Sequence, residues 1–155
     1  MLFWQHGLPK GTGPMAKREN SAPAPFAAEK LRAAGLRPTR QRMELAAHLF
    51  QGDDRHVTAE SLHDEVVSAG IKVSLATVYN TLHQFTGAGL LRQVVVDAAH
   101  GYFDTNTGDH QHFFLEDEGT LIDIPGEAIT VAGVPQAPMG MMVDRVDVVV
   151  RVKRT

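Results

Sequence analysis

The sequence predicts a mixed fold of the α/β (α+β) class, with helices in the first half and short strands in the second. Apolar residues recur at helical spacing between residues 26 and 89, and short β-branched segments follow from residue 90 onward. The balance of basic and acidic residues also changes near this point of the chain. Residues 1–95 hold 11 Lys and Arg against 8 Asp and Glu, whereas residues 96–155 hold 4 against 10. We therefore expect two functional parts.

Composition excludes several classes of site. Apolar residues make up 43% of the 155 residues, which is enough for a packed core, and no apolar run is long enough to span a membrane. The chain has no cysteine, so disulfides, thiolate metal sites and cysteine nucleophiles are excluded. The first residues lack the pattern of a signal peptide, and we expect a cytoplasmic protein.

The chain is predicted to begin with a flexible arm and continue with helices. Residues 1–25 hold four prolines and three glycines and little apolar periodicity. A first helix is predicted over residues 26–34. Thr39 and Thr58 are predicted to cap the second and third helices, because a threonine hydroxyl can accept from an unpaired amide of the first turn. Glycines are predicted to end these three helices: Gly35, Gly52 and Gly70.

The fourth predicted helix, residues 74–89, has one apolar stripe and one polar face. The stripe falls at spacings of three, four and three: Leu75, Val78, Leu82 and Phe85. Tyr79 stands at its border. Neutral hydrogen-bonding residues lie away from the stripe: Thr77, Asn80, Thr81 and Gln84. Such a face suits the major groove of DNA, where base edges offer donors and acceptors.

Strands are predicted after this helix. Residues 90–96 and 102–103 form a predicted hairpin, which with the helices makes a winged helix-turn-helix over residues 26–107. Further strands are predicted at 112–115, 120–124 and 146–152, with weak helical content before the last. These make a small α/β dimerisation domain over residues 108–155. Its sheet is too small to cover one apolar face alone, so we expect a homodimer.

Four segments resemble the ferric uptake regulator superfamily. They are Gly35–Arg42, His56–Leu62, Ser74–Leu82 and Asp109–Phe114. The segment Ser74–Leu82 resembles the superfamily's recognition helix and is the strongest match. Within the superfamily the chain looks most like the iron response regulators (Irr) of alphaproteobacteria, through residues 110–114, 121–125 and 145–151.

The resemblance implies a regulatory metal site. Its ligands fall at His56, Asp104, His110, His112 and Asp123, and this set suits Fe(II), Mn(II) or Zn(II). His110 and His112 stand two apart on a strand and can face one ion. This set also predicts that the site lies between the two domains, with one such site in each subunit.

Other features of the superfamily are missing. The superfamily's structural zinc site uses pairs of cysteines, but Leu115 and Glu118 stand at the first pair, so we expect no structural zinc. A second metal site is also expected to be broken, because Gln111 replaces an aspartate and Glu127 remains alone.

Haem is the other ligand implied by the Irr resemblance. His110 and His112 are the candidate axial ligands. Thiolate ligation is impossible in a chain without cysteine. The remaining histidines are expected to be surface or packing residues: His6, His48, His63, His83 and His100.

Two groups of side chains are expected at double-stranded DNA. The first group is expected at base edges: Thr77, Tyr79 and Asn80. The second lies at the start of the second helix, with its arginines at phosphates: Arg37, Thr39, Arg40 and Arg42. Lys17 and Arg18 would add contacts from the arm.

These observations predict a homodimeric transcriptional regulator of iron and haem homeostasis that reads a two-fold symmetric operator. Metal or haem between the domains would set the spacing of the recognition helices, which must match about 34–36 Å along DNA. Whether the ligand strengthens or weakens DNA binding stays open. Two alternatives remain: a metalloenzyme that uses the His/Asp cluster for hydrolysis, and a metal or haem buffer that does not bind DNA.

Overall fold

The computed structural model describes residues 24–99 and 101–155, and the predicted mixed fold of helices and sheets is confirmed. The helices are α1 Pro25–Ala33, α2 Arg40–Phe50, α3 Ala59–Ser68 and α4 Leu75–Gly87. The strands are β1 His56–Val57, β2 Arg92–Val95, β3 Gly101–Asp104, β4 His110–Leu115, β5 Thr120–Pro125 and β6 Val149–Val152. A short 3₁₀-helix, Gly126–Ala128, follows β5.

Hydroxyl side chains cap the N-termini of three of the helices. Thr39 accepts a hydrogen bond from the amide of Arg42 at 3.3 Å, as predicted. Thr58 and Ser61 bond reciprocally, each side chain accepting from the other's amide at 3.0 Å. Ser74 caps α4. Such caps stabilise a helix by about 1 kcal/mol each, because they satisfy amides that the helix leaves unpaired.

Most of the apolar stripe predicted for helix α4 is buried, but two residues differ from the prediction. Val78, Leu82 and Phe85 are fully buried, but Leu75 is 41% exposed, so its predicted place in the core is wrong. Thr81 was predicted to face outward and is only 6% exposed. It lies about 60° around the helix from Val78, at the edge of the buried face. Its hydroxyl donates to the Thr77 carbonyl at 2.7 Å, so burial leaves no unmet donor.

The first core is built by the four helices. Leu31, Leu45, Leu49 and Leu62 are buried completely and pack with the α4 stripe and with Phe103 of β3. Full burial of each such side chain contributes about 1.5–3 kcal/mol. The core therefore fixes β3 against the helices.

The first sheet has the order β1-β3-β2 and is antiparallel throughout. The hairpin β2–β3 follows α4, which is the arrangement predicted as a winged helix-turn-helix. The two-residue strand β1 was not predicted, because two residues carry no periodicity. It pairs His56 with Asp104, and Asp104 faces Arg92 on the other side.

The second sheet has the order β5-β4-β6, with β5 antiparallel and β6 parallel to β4. Strand β6 was predicted from residue 146 but begins at Val149, so the prediction is wrong for residues 146–148. Asp147 instead contacts Arg92 of the first sheet. The amide of Val148 donates to the side chain of Gln111 at 2.6 Å. The predicted helical content before β6 is limited to the 3₁₀-helix.

A second core joins the two sheets. It packs side chains of β2, of β3 and of Val96 just after β2 against β4, β5 and β6: Val94, Val96, Tyr102, Phe114, Leu121 and Val149. The Tyr102 hydroxyl donates to the Gly119 carbonyl at 2.6 Å, which links β3 to the β4–β5 turn. The predicted domain boundary, between residues 107 and 108, falls in the link between β3 and β4.

Several predictions concern residues outside the described ranges. The predicted arm lies there up to residue 23, with Lys17, Arg18 and His6, and so does His100. Helix α1 starts at Pro25, one residue before the predicted start. Among residues 24–99 and 101–155, none of the helices has the length and apolar character needed to cross a bilayer.

Candidate metal centre

Five side chains meet where the two sheets face each other. One ligand atom from each lies within 4.8 Å of every other: His56, Asp104, His110, His112 and Asp123. These are the five residues that the sequence predicted as metal ligands. Asp104 and His112 are buried completely or almost so, while Asp123 is 42% exposed in its side chain.

Strand pairing brings these residues together. His56 of β1 stands opposite Asp104 of β3, and His112 of β4 stands opposite Asp123 of β5. His110 and His112 lie two apart on β4, and both rings reach the same carboxylate. Each sheet therefore contributes part of the cluster, and neither sheet holds it alone.

Asp104 is at the centre of the cluster. Its Oδ2 atom lies 3.1 Å from Nε2 of His56, 2.7 Å from Nε2 of His110 and 2.9 Å from Nε2 of His112. Its Oδ1 atom accepts from the amide of Asn106 at 2.9 Å. Burial alone would raise the pKa of Asp104, but these hydrogen bonds outweigh it and hold the pKa far below its usual value. The carboxylate is therefore charged.

Asp123 lies on the solvent-exposed side of the cluster. Its Oδ1 atom lies 2.8 Å from Nε2 of His56, 3.5 Å from that of His110 and 3.4 Å from that of His112. The three imidazole nitrogens are thus enclosed between two carboxylates, one buried and one at the surface.

The Nε2 atom of His56 indicates that the cluster suits a cation. It is buried and close to two carboxylate oxygens, but it makes no hydrogen bond within the described part of the chain. Burial alone would lower the pKa of His56, but the close contact with the Asp104 carboxylate and the negative charges of Asp104 and Asp123 raise it above its ordinary value. Positive charge is therefore favoured at this nitrogen, whether from a proton or from a metal ion.

The ring orientation of His110 also indicates that the cluster suits a cation. Its Nδ1 atom lies 2.8 Å from the carbonyl of Gly108, which can only accept, so Nδ1 carries hydrogen. In the neutral ring, Nε2 then directs a lone pair at Asp104. That arrangement is unfavourable unless a proton or a cation lies between them. Metal-bound histidines usually have their second nitrogen fixed in this way.

The spacing and chemistry of the donors also fit a divalent ion. Neighbouring ligands bound at 2.0–2.2 Å from one ion stand about 2.8–3.6 Å apart in octahedral or tetrahedral arrangements. The nitrogen–oxygen distances in the cluster span 2.7–3.5 Å. Imidazole with carboxylate suits Fe(II), Mn(II) and Zn(II), and two carboxylates balance a charge of +2.

Residues at the positions where the sequence predicts the loss of a metal site make structural contacts. The side chain of Gln111 accepts from the amide of Val148 at 2.6 Å and fixes the chain entering β6. Glu118 pairs with Arg154 near the end of the chain. The Leu115 side chain offers no donor atom.

Four of the seven predicted DNA-contact residues line a groove between α2 and α4, and the other three, Arg37, Arg40 and Tyr79, do not. The groove is lined by Thr39, Gln41, Arg42, Thr77, Asn80, Thr81 and Gln84. The Arg42 guanidinium donates to Gln84 Oε1 at 3.0 and 3.3 Å and to the Arg37 carbonyl at 3.0 Å, so it bridges the two helices. Arg40 is exposed and pairs with Glu44 at 3.1 Å.

Tyr79 and Asn80 lie on the exposed face of α4, and Tyr79 is 51% exposed. The Tyr79 ring packs edge-on to His83, with 4.5 Å between ring centroids, and His83 packs in the same way on Phe103. His63 contacts the carbonyl of Val73 at 3.0 Å through Nε2. His63 and His83 therefore lie in helix packing, as expected.

The sequence did not indicate that Arg92 lies beside the cluster. It is 4% exposed and lies on β2 opposite Asp104, and its guanidinium donates to the carbonyl of His110 at 2.9 Å. An arginine at the start of a predicted strand carries no signal for a partner 18 residues away. Only the pairing of the sheets identifies it.

Comparison with known proteins identifies the family. The profile described as "Ferric uptake regulator family" matches residues 33–142, which is more than half of the chain. This chain belongs to the ferric uptake regulator family. A family member from Pseudomonas aeruginosa, the ferric uptake regulation protein, is 37% identical over 95 residues, covering 61% of this chain and 71% of that protein. The corresponding protein of Escherichia coli K12 is 32% identical over 100 residues, or 64% and 68% of the two chains.

Solved structures of the family share the fold. The structure of the ferric uptake regulator from P. aeruginosa with manganese has a TM-score of 0.62 and 28% identity, covering 83% of this chain and 97% of that one. The Vibrio cholerae ferric uptake regulator has a TM-score of 0.63 at 22% identity, covering 82% and 98%. The likeness to the V. cholerae protein supports a shared fold alone.

Proposed function

We propose that this protein is a metal-responsive, DNA-binding transcriptional regulator that acts as a homodimer in the cytoplasm. The observation that carries the proposal is the cluster of three histidines and two aspartates, which takes ligands from both sheets. The proposed ligands are the five cluster residues, and the proposed domains divide near residue 107. Family membership supports a regulator rather than an enzyme.

The route from the metal centre to the DNA-facing helix starts at His56. This residue lies two positions before Thr58, the cap of α3, and α3 packs against α4. Its neighbour Arg55 makes a two-point ion pair with Glu65 on α3, at 2.6 and 2.9 Å. A change in the position of His56 would therefore reach α3 through both the backbone and this ion pair.

Metal would act on DNA binding through geometry. The cluster connects β1, which precedes α3, to β4 and β5 of the second sheet. Its occupancy would change how the helices are oriented relative to the second sheet. In a dimer built on the second sheet, that orientation sets the distance between the two α4 helices, which must match about 34–36 Å along DNA. A ligand shifts this balance only through unequal affinity for the two arrangements.

The groove between α2 and α4 is the proposed DNA-binding surface. Tyr79 and Asn80 are exposed on α4 where base edges would lie, with Thr77 beside them. The phosphate contacts are proposed for the start of α2: Arg37, Thr39, Arg40 and Arg42. The Thr39 side chain also accepts from the amide of Arg42 and so caps α2.

The segment between β5 and β6 supports the dimer. Residues 129–148 form neither helix nor strand, and they expose large apolar side chains that the chain itself does not cover: Val131, Val134, Met139, Met141, Met142, Val143 and Val146. Met139 is completely exposed, and Met142 is 85% exposed. Apolar patches of this kind mark contact sites with another protein. A second copy of the same segment would cover them.

Burial of the cluster favours a metal ion over haem at this position. The His110 and His112 residues are 4% and 1% exposed, and their Nε2 atoms face Asp104. A small ion can bind among these atoms, whereas a porphyrin would have to displace Asp104 or Asp123. The likeness to iron response regulators extends the proposal to iron and haem homeostasis, with haem as a second effector that opens the cluster.

The hydrolytic alternative has less support. A catalytic metal needs an open coordination position and a positioned base beside a substrate cleft. Here five donors surround one point, and the two most buried of them are held by hydrogen bonds to each other. A cavity lined by Arg92, Gln93, Arg145 and neighbours does not include any of the five cluster residues.

The test is DNA affinity measured with and without metal. Duplexes selected from a random library, once with Mn(II) and once with chelator, provide the operator. Fluorescence anisotropy then measures affinity with Mn(II), Zn(II), Fe(II), haem or chelator. We expect selection of a two-fold symmetric sequence and a metal-dependent change of at least about five-fold, the lower end of typical coupling between sites. Metal binding without any DNA selection would instead indicate a buffer, and hydrolysis of a substrate would indicate an enzyme.

A further inference from the structure

Arg92 is a buried charge that the proposed metal and DNA sites do not use. Its side chain is 3% exposed, and it reaches from β2 of the first sheet into the second. A guanidinium is costly to bury unless its donors are paired, so its partners identify its role. Its Nε atom has no hydrogen-bond partner among residues 24–99 and 101–155.

The partners of Arg92 flank the candidate ligand His110. The Nη1 atom donates to the carbonyl of His110 at 2.9 Å and to that of Gly108 at 3.4 Å. The Nη2 atom pairs with the carboxylate of Asp147, which also contacts Nε of Arg145 at 2.8 Å. One side chain of the first sheet therefore fixes the backbone on both sides of Asp109 and the segment that leads into β6.

The Gly108 carbonyl connects Arg92 to the imidazole of His110. This carbonyl accepts from Nδ1 of His110 at 2.8 Å and also from Arg92. The position of the carbonyl decides which ring nitrogen of His110 carries hydrogen and which faces the cluster. Arg92 holds that carbonyl, and Asp147 holds Arg92, so the orientation of His110 depends on an ion pair outside the cluster.

We propose that Arg92 is a positioning residue for the metal centre, which fixes the ring orientation and tautomer of His110 through the Gly108 carbonyl, with Asp147 as its anchor. This inference rests on the proposed function for the metal, but the tautomer itself can be measured without metal. Outer partners of this kind typically change metal affinity 10–100-fold when they are removed.

Three variants test the proposal. Arg92→Lys keeps the charge but loses the two-pronged donor geometry. Asp147→Asn keeps the shape of the anchor and removes its charge. Asp144→Asn removes a charge from an exposed residue of the same segment and is the matched control. Circular dichroism establishes that each variant is folded, and Asp147→Asn alone decides the question if Arg92→Lys does not fold.

Two measurements are made on each variant. Competition titration gives the affinity for Mn(II) and Zn(II), and ¹⁵N NMR of the metal-free protein gives the tautomer of His110. We expect Arg92→Lys to lose about 10–100-fold in affinity, Asp147→Asn to lose less, and Asp144→Asn to match the parent. The metal-free spectra of Arg92→Lys and Asp147→Asn should show His110 shifted from the Nδ1–H form.

Two results would overturn the proposal: parental metal affinity in folded Arg92→Lys and Asp147→Asn, or an unchanged His110 tautomer in both. A parent protein that binds neither metal would refute the proposed metal function. The NMR measurement still decides the role of Arg92 in that case, so the two failures are distinguishable.

Discussion

The Oδ2 atom of Asp104 lies 2.7 Å from Nε2 of His110, although the two residues belong to different sheets. Asp104 ends β3 of the first sheet, and His110 begins β4 of the second. This contact and those of His56 and His112 make one carboxylate the meeting point of both parts of the chain. The predictions below start from it.

Asp104→Asn should lower the affinity for Mn(II) and Zn(II) by more than about 100-fold, beyond the usual cost of losing an outer partner. The substitution keeps the shape of the side chain and removes a buried charge that three imidazoles face. Asp123→Asn should cost less, because Asp123 is 42% exposed and water can replace it. Isothermal titration calorimetry measures whether the loss of metal affinity is larger in Asp104→Asn than in Asp123→Asn. Equal losses in the two variants would mean that Asp104 is not the central ligand.

Replacing His110 and His112 together by alanine should abolish metal binding and sharply reduce haem binding. Both rings face Asp104 from one side of β4, so they act as a unit. Affinity for DNA without ligand should stay nearly unchanged, because neither residue lies on α4. If haem weakens DNA binding of the parent, it should not weaken that of the double variant. A parental haem spectrum in the double variant would place the haem site elsewhere.

Tyr79→Ala or Asn80→Ala should lower affinity for the selected operator by roughly 1–3 kcal/mol and leave affinity for random DNA nearly unchanged. Arg40→Ala should weaken both kinds of DNA alike and reduce the salt dependence, because a phosphate contact carries no sequence information. Anisotropy at several salt concentrations separates the two effects. The same loss on all sequences for every variant would contradict the placement of α4 in the groove.

Met139→Glu combined with Met142→Glu should convert the dimer to a monomer. Both side chains are almost fully exposed, so the change should not disturb the fold of one chain, but it places two charges in the proposed contact. Val67→Glu is the matched control, since Val67 is 48% exposed on α3. Analytical ultracentrifugation gives the mass. A parent protein that sediments as a monomer would refute the dimer.

The contribution of Asp147 to stability should disappear in acid. Burial alone would raise the pKa of Asp147, but its hydrogen bonds with Arg92 and Arg145 lower it below the ordinary value. A lowered folded-state pKa stabilises the fold above the unfolded-state pKa, about 3.9, and this stabilisation is lost as the pH falls through the folded-state value. The difference in melting temperature between the parent and Asp147→Asn should be constant above about pH 5 and shrink below pH 4. A difference that grows in acid would contradict the ion pair.

Much of the fold follows from local patterns in the sequence. Thr39 and Thr58 are hydroxyl residues before amphipathic segments, and both are caps in the structure. Leu75 and Thr81 lie within about 60° of Val78 on α4, and only packing decides which of two such flanking positions is buried. Strand β1 is two residues long and gives no periodic signal, although it delivers His56 to the cluster.

The candidate site could be predicted only in part, because its contacts join distant residues. The five cluster residues were inferred from a family resemblance, and no spacing rule relates His56 to Asp123. Residues 146–148 have the alternation of a strand, but Asp147 pairs with an arginine 55 residues earlier and the ladder starts only at Val149. Long-range ion pairs of this kind leave no trace in a local pattern.

The apolar contacts between the two sheets have a consequence for how metal can act. Val94, Tyr102, Phe114 and Leu121 pack together without any contribution from the cluster. The chain therefore has a tertiary structure to retain when the ion is withdrawn, unlike small domains whose folding free energy comes from the metal. The free energy of metal binding is then available for changing the population of two folded arrangements. A chelator should change the DNA affinity of such a protein while leaving its cooperative melting transition in place.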